Sequence, residues 1–88
     1  MPMRYIFHGH VQGVGFRYTT RQIARRFPVT GYVKNLSDGT VELVVEGETE
    51  DIELFVSAIQ ERFSGNLTGK DTEEVITGEQ YNSFEIRR

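Results

Sequence analysis

The hydrophobic period of this chain first changes, and sharply, across the nine residues Gly9-His10-Val11-Gln12-Gly13-Val14-Gly15-Phe16-Arg17. Before them, Arg4 to His8 alternates with the two-residue period of a strand, centred on Tyr5-Ile6-Phe7-His8. After them, Phe16, Thr20, Ile23, Ala24 and Phe27 share one helical face, while Arg17, Arg21 and Arg25 line another at four-residue intervals. A strand that turns through glycines into a helix points free backbone N–H groups at an anion. Gly13 and Gly15 carry no Cβ, so the backbone there can take φ > 0 and come close to a ligand. Arg17 falls in the first helical turn, where its planar fork can grip a phosphate with two parallel bonds. The same residues also suit a plain tight connection with one surface arginine, and this stretch alone leaves both readings open. It is not a Walker-type loop, because no Lys-Ser or Lys-Thr follows a glycine. The third glycine of a dinucleotide fingerprint is missing too, since Phe16-Arg17-Tyr18 follows Gly15.

Pro28 ends the helical pattern. Thr30 to Lys34 reads as a second strand, closed by the turn chemistry of Asn35-Leu36-Ser37-Asp38-Gly39. Thr40 to Glu46 reads as a third, with Val41, Leu43 and Val45 opposite Glu42 and Glu46. Thr49 is the expected cap of a second helix, with Glu50 and Asp51 in its positive first turn. Ile52, Phe55, Val56, Ile59 and Phe63 form its apolar stripe, and Gly65 is its expected stop. Residues 66–72 read as polar loop. Glu73 to Thr77 and Ser83 to Arg87 read as two short strands, the latter with Phe84 and Ile86 inward.

The order β-α-β-β-α-β plus a short extra strand predicts an α+β, ferredoxin-like α/β sandwich, an antiparallel sheet with two helices on one face. Residues 1–88 fit one domain. In such a split unit the first and second strands run parallel, with the third antiparallel between them. The loop from Gly9 and the turn at Asn35 then meet at one sheet edge, roughly 9–10 Å apart at the backbone.

Charge follows the same division. Residues 1–37 hold six basic side chains and no Asp or Glu; residues 38–88 hold all 13 acids against four bases. A basic half around a glycine loop suits a small anionic ligand, and the acidic remainder argues against long nucleic acid. The absence of cysteine suits a reducing cytosol. Met1-Pro2-Met3-Arg4 offers no apolar signal segment, and no run approaches the ~20 apolar residues of a membrane span. A cytoplasmic protein with no membrane partner is the expectation, and Asn35-Leu36-Ser37 and Asn66-Leu67-Thr68 are coincidental matches to a glycosylation sequon.

Over its whole length, Gly9 to Arg17 resembles the signature of the acylphosphatases. A second signature of that family is matched by Gly31-Tyr32-Val33-Lys34-Asn35-Leu36-Ser37-Asp38-Gly39-Thr40-Val41, closed by Gly47. The resemblance covers residues 4–63 well and the tail loosely. Phe27-Pro28-Val29 stands where a Gly-Leu pair is usual, and Gly65-Asn66 where Gly-Pro is usual. The resemblance implies hydrolysis of acyl phosphates, mixed anhydrides of a carboxylic acid and phosphate. It implies that the loop amides (Gln12, Gly13, Val14, Gly15, Phe16) and Arg17 bind the phosphoryl oxygens, and that Asn35 orients the attacking water. It implies no metal or other cofactor, and inorganic phosphate as product and competitive inhibitor. A monomer is expected.

Little else in the chain offers chemistry. His8 and His10 lie two apart on one strand face, too few for a metal site, and read as ordinary residues of the strand and its end. No acid is near either in sequence, so any partner must come from elsewhere in the fold. A non-catalytic small-anion or phosphate-binding regulatory module of the same fold is the alternative. An RNA-recognition domain shares the topology, but its third strand stacks bases on aromatics, and Thr40 to Glu46 has none.

Overall fold

Seven elements follow the expected order, in a computed structural model that describes residues 2–88. They are β1 (Met3–Gly9), α1 (Phe16–Ala24), β2 (Thr30–Asn35), β3 (Val41–Glu46), α2 (Thr49–Arg62), β4 (Leu67–Glu74) and β5 (Phe84–Arg87). They build one five-stranded sheet in the order β4-β1-β3-β2-β5. β3 lies between β1 and β2 and is antiparallel to both, with Leu43 opposite Tyr5 on one side and Val33 on the other. β1 and β2 are therefore parallel, and their C-terminal ends share one sheet edge. The fold is the α+β, ferredoxin-like sandwich read from the sequence.

The period-two pattern of the strands decides which face is covered. Tyr5, Phe7, Val33, Val41, Leu43 and Val45 are buried against the stripe of α1 (Phe16, Ile23, Ala24) and that of α2 (Ile52, Phe55, Val56, Ile59). Phenylalanine rings link the layers. Phe16 lies 5.5 Å from Phe7 on the sheet and 4.5 Å from Phe63 beyond α2, and Phe55 lies 5.5 Å from Phe84 on β5. Each fully buried ring of this kind stabilises by about 1.5–3 kcal/mol relative to exposure. Gly31 is needed for the sheet itself, since an added Cβ would meet the Val44 carbonyl oxygen at 1.9 Å.

Several boundaries differ from the sequence reading. Residues 66–72 are not a loop; Leu67–Glu74 is a strand that pairs with β1 from Met3↔Glu74 to Gly9↔Leu67. Its side chains past Leu67 are exposed, so no apolar alternation marks it; backbone pairing with β1, joined by the cross-strand pairs Arg4–Glu73 and His8–Asp71, holds it at the edge. Such a charged, polar edge also resists pairing with another chain. Glu73 to Thr77 is accordingly not a separate strand. The sheet is antiparallel except at β5, which runs parallel to β2 with Lys34 opposite Arg87. After β4 the chain crosses to the other edge of the sheet and enters β5 in the direction of β2. α1 ends at Ala24, four residues before Pro28, through the short-span bonds Arg25 N–H to Gln22 O and Arg26 N–H to Ile23 O. Thr49 is the first residue of α2 and Glu48 holds the cap position, while Phe63 rather than Gly65 closes the helix. Gly65 is not among the glycines with positive φ, so it does not act as a left-handed stop. No helix among the described residues is long and apolar enough to cross a membrane.

Candidate functional site

The loop between β1 and α1 is pinned at three points before it reaches its glycines. The His10 N–H donates to the Asn66 carbonyl at 2.9 Å, Val11 is buried, and the Gln12 side-chain amide donates to the carbonyls of Leu36 at 2.7 Å and Thr40 at 2.9 Å. Gln12 thus joins this loop to the β2–β3 turn. That turn is itself held by Asp38, whose carboxylate accepts from the Thr40 hydroxyl and from the Thr40 N–H at 3.0 Å. These bonds hold the Asp38 carboxyl below its ordinary pKa.

Gly13 (φ 77°) and Gly15 (φ 76°) then carry the backbone through the left-handed region, which side chains with a Cβ enter only under strain. A Cβ at either would meet nothing within 4 Å, so conformation rather than crowding calls for glycine there. Gly15 caps α1 without any side-chain cap, and no acid sits in the first turn. Among the described residues, no backbone N–H from Gln12 to Tyr18 is hydrogen-bonded to the protein; the Thr19 N–H is the first to find a carbonyl, that of Gly15, at 3.0 Å. A run of free donors at the positive end of a helix is an anion-binding arrangement.

A cavity of about 230 Å³ opens beside these donors, lined by Val11, Gly13, Gly15, Phe16, Arg17, Tyr18, Asn35, Ile86 and Arg88. One water takes about 30 Å³ of liquid, so a phosphoryl group with an adjoining water fits this space. Arg17 projects from the first turn of α1, and its Nη1 donates to the Arg87 carbonyl at 3.2 Å. A guanidinium has five N–H donors, so the rest of the fork is left for a ligand. Asn35 ends β2 opposite Val41, and its Oδ1 is buried with no hydrogen-bond partner among the described residues. Among those residues no Asp or Glu lines the cavity, whose charged members are Arg17 and Arg88.

The fold therefore brings Gly13, Gly15, Phe16, Arg17 and Asn35 of the expected set to one cavity. Gln12 and Val14 do not line it with the others: the Gln12 side chain is the clamp just described, and Val14 packs against the core. His8 lies on the sheet face turned away from the helices, where its Nε2 donates to the Asp71 carboxylate at 2.7 Å. That partner is supplied by β4. His10 is exposed at the strand end. Tyr18, Ile86 and Arg88 were not foreseen. Tyr18 directly follows Arg17, but Ile86 and Arg88 arrive only because β5 lies parallel to β2 and ends at the same sheet edge.

A family model for acylphosphatases matches residues 3–86. An acylphosphatase of Methanospirillum hungatei is 42% identical over 86 residues, which span 94% of this chain and 92% of that protein. The crystal structure of acylphosphatase from Bacillus subtilis superposes with a TM-score of 0.85 at 33% identity, covering 99% of this chain and 98% of that one. T. kodakarensis HypF gives a TM-score of 0.88 at 32% identity and covers all of this chain, but only 12% of HypF is matched.

Proposed function

Because the chain belongs to the acylphosphatase family, we propose that it hydrolyses acyl phosphates to a carboxylate and inorganic phosphate, with Arg17 and the loop amides holding the phosphoryl group and Asn35 holding the water. The observation that carries this reading is the convergence of Arg17, Asn35 and the unpaired N–H groups on one cavity. The phosphoryl oxygens lie against the N–H groups from Gln12 to Tyr18 and the Arg17 fork, where their charge is stabilised. The Asn35 side-chain amide holds the attacking water by hydrogen bonding, so that the water's lone pair faces phosphorus. A neutral amide does this without repelling the anion, as a carboxylate would. The new P–O bond forms as the bond to the acyl oxygen breaks; the electron pair leaves with the carboxylate, and both protons of the water end on the released phosphate. A carboxylic acid has a pKa near 4, so the leaving group departs as an anion at neutral pH and needs no general acid. Phosphoryl transfer of this kind asks chiefly for positioning and electrostatics.

A release assay tests the reading: several acyl phosphates beside an ordinary phosphate monoester, with a chelator present. Turnover of the acyl phosphates alone, undiminished by the chelator and inhibited competitively by inorganic phosphate, is the expected result. The same fold also occurs as a small part of a longer chain, T. kodakarensis HypF, and the second reading is a phosphate-binding module without turnover. Phosphate binding with no release from any acyl phosphate would establish that reading instead.

A further inference from the structure

The Arg17 guanidinium is held by a group that no local motif supplies. Its protein partner is the Arg87 carbonyl on β5, and β5 is a four-residue edge strand. Short edge strands are held weakly by their own ladder and open early in local unfolding. Something else must keep this carbonyl at a fixed height beside the cavity.

Side chains alternate along a strand. Ile86 lines the cavity, and Arg87 therefore turns to the opposite, open face of the sheet. There its guanidinium stacks 4.1 Å from the centre of the Tyr32 ring. Its Nη2 donates to Glu79 at 2.6 Å and its Nε to Glu85 at 3.0 Å. Tyr81, on the same connection as Glu79, lies 6.1 Å from Tyr32. The Tyr32 hydroxyl donates to Glu42 on β3 at 2.9 Å, and Glu42 accepts from Arg4 Nε on β1 at 2.6 Å. The side chain of Arg87 thus ties β5 to β2, to the crossing segment before it and, through Tyr32, to the centre of the sheet. Isolated exposed ion pairs contribute little, but a stacked, bidentate and networked arginine fixes geometry that a lysine does not.

We infer that Arg87 is a positioning residue: its side chain, anchored on the far face of the sheet by Tyr32, Glu79 and Glu85, sets the carbonyl that aims Arg17 at the phosphoryl group. This rests on the reading of Arg17 as a phosphate ligand. The two faces of the sheet are then coupled through one residue. Its backbone serves the cavity and its side chain serves the opposite face.

The test is a double-mutant cycle read by phosphorus NMR line broadening on titration with inorganic phosphate, for wild type, Arg17→Ala, Arg87→Ala and the double variant. Arg87→Ala should weaken phosphate binding about tenfold, the size of one charge-assisted hydrogen bond made poorly. In the Arg17→Ala background the same change should alter binding by less than about twofold, since the aimed group is gone. A merely structural role would not show this loss of coupling. Equal weakening in both backgrounds, or wild-type binding in Arg87→Ala, overturns the inference. Wild-type binding in Arg17→Ala alone overturns the functional reading of Arg17, and the single variant tells that failure apart. Should Arg87→Ala fail to fold, the combined Glu79→Gln, Glu85→Gln variant replaces it on two half-exposed positions. Weakened binding in that variant, lost in the Arg17→Ala background, supports the inference, and unchanged binding overturns it.

Discussion

Replacing Asn35 by alanine should separate turnover from binding. The side chain contributes little to the fold: its Oδ1 has no hydrogen-bond partner among the described residues, and its backbone pairing with Val41 does not depend on the amide. Truncation therefore gives up no protein hydrogen bond at that atom, and stability should change by about 1 kcal/mol or less. For a domain of this size that is a melting shift of roughly 4–8 °C at most. Phosphate binding should survive, because Arg17 and the free N–H groups from Gln12 to Tyr18 remain. On the proposed reading, what is lost is the amide that fixes the attacking water. Positioning of that kind is worth on the order of 10²-fold in rate, or about 2.7 kcal/mol at 1.36 kcal/mol per factor of ten. Steady-state hydrolysis of an acyl phosphate should then show kcat falling about 100-fold, with KM and the phosphate inhibition constant changed by less than about threefold. Asn35→Asp should be at least as inactive, since its charge opposes the phosphoryl group. Near-normal turnover in Asn35→Ala would refute the water-holding role. A large rise in the phosphate inhibition constant would show that Asn35 binds the anion instead.

Gly13→Val should abolish phosphate binding while leaving a native circular dichroism spectrum. A valine at φ 77° costs about 1–3 kcal/mol of strain, yet its Cβ meets no neighbour; an unfolded variant would make the glycine structural. Gln12→Ala removes both donors that join the loop to the β2–β3 turn. It should cost about 1–3 kcal/mol in thermal or urea unfolding and raise KM, and unchanged unfolding would show that the clamp is idle. The Tyr32 hydroxyl, desolvated and hydrogen-bonded to Glu42, has its pKa pushed up from 10.0 to about 12. The folded state then holds this proton more tightly than the unfolded chain. The associated stability is fully present below pH 10 and is lost as pH rises through about 12. Tyr32→Phe should flatten that alkaline fall in urea unfolding, and a slope equal to wild type would count against it.

Much of the candidate site was legible because its signals are local. The glycines at 13 and 15, the arginine two residues later and the break from strand to helical period all lie within one short window. Asn35 at the end of the second alternating run completed the set. The split topology joined the two motifs, since β3 between β1 and β2 puts both C-terminal ends on one edge. The role of Gln12 was not legible, because the carbonyls it clamps lie 24 and 28 residues away. Nor was the Asp71 partner of His8, 63 residues distant.

By itself the sequence determined the two helices, the first three strands and the glycine turn between β1 and α1. Each of these is written in a hydrophobic period or a turn residue that acts over a few positions. Tertiary structure decided the two edges of the sheet. β4 carries almost no apolar side chain to the core, so its strand conformation comes from backbone pairing with β1, a partner the local pattern cannot announce. β5 lies parallel to β2 because the chain must cross the sheet before entering it. That crossing sets the Arg87 carbonyl beside Arg17, a contact that exists only once residues 70 positions apart share one end of the sheet.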